Sequence, residues 1–205
     1  EGLAQKRFAA YQYANCYLNQ FLNDIYSNPQ LVNTVTAVTA DHNLQGIRNY
    51  SEKEIFHKYR VPFFILGPDE IIKSPKSVSH FGSHVDISPT LIEMTLPYTS
   101  YLSFGRNILS HKGKSVVNQN GIIFSENNML NYNFSNRQTR GFYKWGQPDR
   151  WFLNRAENDN KEIDLLDTMT AYFSIASYFL EKEWANYSNS ISYNASLQKN
   201  HLDKN

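Results

Sequence analysis

An α/β fold is predicted: a mainly parallel sheet with flanking helices and a small antiparallel appendage. Three observations predict it. Residues 3–27 carry apolar side chains at helical spacing. Residues 34–40 (TVTAVTA) and 61–66 (VPFFIL) are short β-branched or aromatic runs, as strands covered on both faces show. Ser115–Val117 and Ile122–Ser125 flank Asn120-Gly121, a strong hairpin signal.

The elements follow in order. Tyr11, Ala14, Leu18, Phe21 and Ile25 share one face of the first helix. Asn28-Pro29 stops it. The first strand ends at Ala40, and Asp41-His42-Asn43 follows at once. Residues 43–58 are polar and irregular, and Gly67-Pro68 closes the second strand. Ser88-Pro89 predicts a helix start, with Ser at the cap and Pro at the first helical position. Phe142 to Phe152 is rich in aromatics without a clear period, and Phe142, Tyr143, Trp145, Trp151 and Phe152 are expected to pack as core, with a lid or a sugar platform as the alternative. From Lys161 to about Trp184 a second long helix carries Ile163, Leu166, Phe173 and Leu180 on one side. Residues 188–205 turn polar and are expected to form a flexible tail.

Composition narrows the function. The 205 residues suffice for one domain. Aromatics at 15% argue against disorder throughout. Twenty Lys and Arg against 19 Asp and Glu leave a formal charge of +1, without the strongly basic balance of a nucleic-acid binder. The single cysteine, Cys16, excludes an internal disulfide and a cysteine zinc cluster. No stretch approaches the roughly 20 apolar residues of a membrane span. The chain begins at Glu1 rather than Met, which suggests a piece of something longer.

In open parallel sheets, ligands bind outside the carboxyl ends of the strands. Asp41 and His42 sit at such an end. A carboxylate and an imidazole there suit a divalent metal; equally, a loop-fixing Asp can stand beside a surface His. Asp86 is expected to satisfy N–H groups of the helix that follows it. His80 and His84 precede that helix and are expected to be structural.

The blocks TVTAVTADHN, KYRVPFFILGP, SHVDISPTLIEM and SFGRNIL stand behind a helix containing YQYANCYLNQFLNDI. Their order and spacing resemble the C-terminal half of a sulfatase-family catalytic domain, within the alkaline phosphatase superfamily. The nearest branch is that of the lipoteichoic acid synthase-like and phosphoethanolamine transferase enzymes. The resemblance covers residues 5 to 110. It implies that Asp41 and His42 are metal ligands, for Zn, Mn, Mg or Ca. It places His57 where relatives contact the sulfate or phosphate group, as a catalytic residue, with Lys58 and Arg60 as nearby cations for an anionic substrate; a surface His on a polar loop is the alternative. Relatives continue Asp-His-Gly. Asn43 stands there instead, a residue that tolerates a left-handed turn. An acidic residue expected soon after the pair is replaced by Leu44 and Gln45.

The resemblance thus implies a fragment, residues 1–187, of a metal-dependent domain acting on sulfate or phosphate esters, by hydrolysis or by phosphoethanolamine or phosphoglycerol transfer. The intact protein is expected at the inner membrane with this domain periplasmic or extracellular, and the chain itself soluble. No strand ending in a carboxylate precedes Asp41 to supply a nucleophile, so the chain alone is expected to be inactive. An exposed sheet edge is expected to favour self-association. The rival reading is a non-catalytic α/β module that binds a partner.

Overall fold

A computed structural model describes residues 2–43, 48–74, 77–111, 113, 115–146, 151–157 and 160–202, with side chains described through residue 183. Helix α1 spans Leu3–Ser27. Strand β1 (Thr36–Thr39) pairs with β2 (Phe63–Leu66), and between them lie a 3-10 turn at Glu52–Glu54 and the short helix α2 (Ile55–Tyr59). A second 3-10 turn, His84–Asp86, leads into α3 (Ile87–Thr95). Then come β3 (Ser115–Asn118), β4 (Ile122–Ser125), β5 (Asn128–Asn133), β6 (Gln138–Trp145), β7 (Leu153–Ala156) and α4 (Asn160–Leu202).

The mixed α/β composition agrees with expectation, but the strand pairing does not. Among the described residues both sheets are antiparallel: β1 against β2 with Thr39 opposite Phe63, and β3-β4-β5-β6-β7 as a consecutive meander. Thr39 lies opposite Phe63, so the connection over residues 40–62 brings the chain back to the end of the pair that it left, and the second strand runs antiparallel to the first.

The core sits in the larger sheet. Side chains alternate between its faces, as the strand period requires. Ile122, Phe124, Met129, Tyr143, Trp145 and Leu153 form one face, joined by Ile55, Phe56, Tyr59 and Phe81 from the first half of the chain. Ile123, Leu130 and Phe142 form the other, under Leu165 and Met169 of α4. Gly121 turns the β3–β4 hairpin with φ of +75°, a conformation that favours glycine.

The two strands of the smaller sheet are less covered than predicted. Phe64 and Leu66 stay exposed, and β1 is only partly buried. Helix α1 buries Ile25 alone, while Tyr11 and Phe21 of its predicted stripe face solvent. A stripe at helical spacing tells which face is ready to be buried; it does not supply the partner.

The start of α3 also differs from the expected Ser-Pro cap. The helix begins at Ile87, with Asp86 at the cap position and Pro89 within the first turn, where its missing N–H is still harmless. Phe142, Tyr143 and Trp145 are core as expected, whereas Trp151 and Phe152 are exposed at 52% and 50%.

Candidate functional site

Asp41 and His42 leave β1 where Thr39 ends the pairing with β2, and both side chains are exposed. Asp41 turns back on its neighbour: its Oδ1 accepts the His42 backbone N–H at 2.8 Å. Asp41 Oδ2 and His42 Nε2 then approach to 3.3 Å. The other ring nitrogen, Nδ1, lies 2.8 Å from the Asn43 carbonyl oxygen. A carbonyl only accepts, so Nδ1 carries the proton in that contact. Nε2 thus stands beside a carboxylate oxygen, and the two are placed to act together on one cation. Two ligands about 2.1 Å from an ion at the tetrahedral angle stand about 3.4 Å apart. The donor pair fits a divalent metal in type and in bite. Among the described residues, however, no group of three or more His, Cys, Asp or Glu side chains converges on such a point.

Two contacts fix this strand end. His84, from the 3-10 turn before α3, donates Nε2–H to the Ala40 carbonyl at 2.8 Å, across 44 positions of chain. The expectation that His84 is structural agrees with this clasp. His80 does the same for Ile108, at 2.8 Å. On the other side, the Asn43 amide donates to the Tyr50 hydroxyl at 2.9 Å and to the His57 carbonyl. Asn43 does not take the left-handed turn expected of it, since the described non-glycine residues with positive φ are Tyr98 and Arg137. Its side chain holds the loop instead, by tying it to α2.

Helix α2 positions His57 by packing its neighbour. Phe56 meets Phe124 at 5.3 Å and Trp145 at 5.1 Å, both edge to face, and so anchors the helix on the sheet. His57 points the other way. Its Nε2–H donates to the Trp151 carbonyl at 2.8 Å, and its ring stacks on the Trp151 indole at 5.4 Å and 12°. The Arg60 guanidinium lies 5.0 Å from the same indole centroid, while Lys58 lies over Tyr59 at 5.6 Å. The structure thus joins His57, Arg60 and Trp151, links His57 to the Asp41-His42 loop through Asn43, and leaves Lys58 apart.

A cleft of about 300 Å³ opens here, lined by Arg48, Glu54, His57, Trp151 and Phe152. Arg48 and Glu54 form an ion pair across it. Hydrogen bonds from Ser51, reinforced by Arg48, hold the Glu54 carboxyl below its ordinary range. Nothing in the sequence singles out Arg48, Glu54 or Asn43 as cleft residues, and Trp151, expected in the core with a lid or sugar platform as the alternative, is exposed at the cleft. Only Ser51-x-x-Glu54 carried a local signal, that of a capping box opening the turn before α2.

The arrangement is a carboxylate-imidazole pair at a strand end, joined through Asn43 to a cleft lined by Arg48, Glu54, His57, Trp151 and Phe152. Residues 2–96 match the family model described as Sulfatase. That stretch, which holds α1, β1, Asp41-His42, α2, β2 and α3, is similar to the sulfatase family, whose members generally use a divalent metal. The five-stranded sheet and α4 lie outside the match. No curated protein and no solved structure matches the chain. No described helix is long and apolar enough to cross a membrane.

Proposed function

We propose that the Asp41-His42 corner is part of the metal centre of an enzyme acting on sulfate or phosphate esters. The observation that carries this reading is the 3.3 Å approach of Asp41 Oδ2 and His42 Nε2 with Nδ1 committed to Asn43. Asp41 and His42 would hold Zn²⁺, Mn²⁺, Mg²⁺ or Ca²⁺, which when bound stabilises negative charge on the transferring group. His57 has Nε2 engaged by Trp151, so its proton traffic with the leaving oxygen runs through Nδ1. Arg60, over the Trp151 indole, adds positive charge for the anionic substrate, whereas Lys58 lies over Tyr59 and is not carried into this reading. The resemblance to lipoteichoic acid synthase-like and phosphoethanolamine transferase enzymes favours phosphoryl-group transfer outside the inner membrane, with sulfate-ester hydrolysis as the other member of the same class.

Two protein donors make a weak site, because zinc sites use three or four. Titration of the chain with Mn²⁺ or Zn²⁺ should show weak saturable binding that Asp41→Ala and His42→Ala each abolish. Binding unchanged in both variants would refute the assignment. The chain alone should turn over neither aryl sulfate nor phosphodiester with metal added. The second reading, a partner-binding module, draws support from the exposed Tyr13, Tyr17 and Phe21 on α1. Metal affinity lost on Asp41→Ala decides against it.

A further inference from the structure

We propose that His84 and Asn43 are positioning residues for the Asp41-His42 pair, clamping the backbone of that corner from its two sides so that both side chains meet one ion. The proposal rests on reading Asp41-His42 as metal ligands. It goes beyond that reading by assigning the geometry of the pair to two side chains that lie behind it.

The corner does not hold itself in place. Pairing of β1 with β2 ends at Thr39, and the Asp41 and His42 side chains are 84% and 60% exposed, so little packing fixes them. Their own contacts, Asp41 Oδ1 with the His42 N–H and His42 Nδ1 with the Asn43 carbonyl, join neighbouring residues. Such contacts shape the corner but travel with it. Its place on the molecule must come from groups distant in sequence, and the structure supplies one on each side. His84 crosses 44 positions to hold the Ala40 carbonyl at 2.8 Å. That carbonyl lies in the same rigid peptide plane as the Asp41 nitrogen, so fixing it fixes the plane from which Asp41 springs. The Asn43 amide donates to the Tyr50 hydroxyl at 2.9 Å and to the His57 carbonyl. The Asn43 carbonyl in turn receives the His42 Nδ1–H, the outer bond that orients the ring of a ligating histidine.

Both anchors stand on parts of the fold that are themselves held. His84 opens the 3-10 turn that ends in Asp86, which is buried and bonded to the Ser83 and Arg106 N–H groups. Pro89 and Thr90 of α3 are buried just beyond it. Asn43 reaches α2, which Phe56 packs on Phe124 and Trp145. The residue types suit the task. The Ala40 carbonyl needs a donor, and imidazole presents one N–H on a rigid ring. Position 43 needs side-chain donors as well as a backbone acceptor, and glycine would supply only the second. Preorganisation counts most where ligands are few, because the cost of fixing two exposed side chains falls on a small binding energy.

The test is Mn²⁺ titration of the full chain, beside nuclear magnetic relaxation of the backbone amides in the metal-free chain. His84→Ala and Asn43→Ala should each weaken Mn²⁺ binding about tenfold, the low end for loss of an outer-shell partner, with melting temperature little changed. His84→Gln, whose amide N–H reaches toward the same carbonyl, should keep most of the affinity. Without metal, His84→Ala should increase the nanosecond motion of the Asp41 and His42 amides, and His84→Gln should not. An unchanged affinity in either alanine variant would overturn the proposal. So would a loss in His84→Gln equal to that in His84→Ala, or a loss of affinity that merely follows a fall in melting temperature. Asp41→Ala and His42→Ala separate the two readings. Binding that survives both removes the metal reading and the proposal with it; binding that they abolish and His84→Ala leaves intact removes the proposal alone.

Discussion

Asp86 is 2% exposed, and its carboxylate takes two backbone N–H groups, from Ser83 at 2.8 Å and Arg106 at 2.9 Å. Those bonds join the turn before α3 to the loop after it, and Thr90 adds a bond to the Asp86 carbonyl at 2.6 Å. Asp86→Ala should lower stability by about 3 kcal/mol in urea denaturation, as two charge-assisted bonds are lost and two N–H groups are stranded. Asp86→Asn, which keeps one accepting oxygen, should cost less. A structural Asp at this position is legible from its place before a helix, but it does not satisfy the first-turn N–H groups of α3 as expected; its carboxylate takes Ser83 and Arg106 instead, and Arg106 lies 20 positions away. Tyr143 gives a second, pH-dependent case. Its hydroxyl donates to Glu52, which Arg155 also grips at 2.9 Å. Burial first, and then Glu52, push the phenol up to about 12 from its ordinary 10. The folded state holds this proton more tightly than the unfolded one, so the stabilisation is complete below pH 10 and falls as pH rises from 10 toward 12. Tyr143→Phe should flatten that part of the stability–pH curve, and a curve identical to the wild type would remove Tyr143 as its source.

At the scale of elements, α2 ties the candidate site to the core. Phe56 touches Phe81, Phe124 and Trp145, and the next residue carries the candidate imidazole. Phe56→Ala should cost about 3 kcal/mol, the low end for such a truncation because Phe56 is only partly buried. It should also release the His57–Trp151 stack, seen as increased solvent accessibility of the Trp151 indole to a neutral quencher. Unaltered quenching would mean that α2 is held by something else. Sequence reasoning expected irregular chain at residues 43–58, yet Ser51-x-x-Glu54 marks the helical turn plainly. The cue was there, and a short polar helix has too few apolar positions to show a period. Strands β5 and β6 were hidden for a different reason. Both faces of this sheet are covered, so Met129-Leu130 and Phe142-Tyr143 are neighbouring apolar residues pointing opposite ways, and the two-residue alternation disappears. The β3–β4 hairpin was legible because Asn-Gly needs no tertiary context.

Across the whole molecule, covered and uncovered surface divide unevenly along the chain. The five-stranded sheet is packed on both faces, while α1, β1 and β2 leave large apolar groups in solvent. On α1 these include Phe8, Tyr13, Tyr17 and Phe21, exposed at 55%, 65%, 53% and 56%. Spacing makes the stripe of Tyr11, Ala14, Leu18, Phe21 and Ile25 visible in the sequence, but of the four exposed groups just named only Phe21 belongs to it, and no sequence pattern states what covers either set. A two-stranded sheet is marginal in water unless something packs on it, and its outer strand edges offer unpaired N–H and C=O groups to another chain. Contiguous exposed apolar surface adds a non-directional drive toward association. The expected outcome is concentration-dependent self-association through α1 and the β1–β2 pair. Sedimentation velocity across a wide range of protein concentration should show a rising weight-average mass. Replacing Tyr13, Tyr17 and Phe21 together by serine should return the chain toward monomer and leave its far-ultraviolet helix signal almost intact, because none of the three is buried. A monomer at every concentration would show that the aromatic face is tolerated in water. Undiminished association in the triple variant would move the contact from α1 to the strand edges.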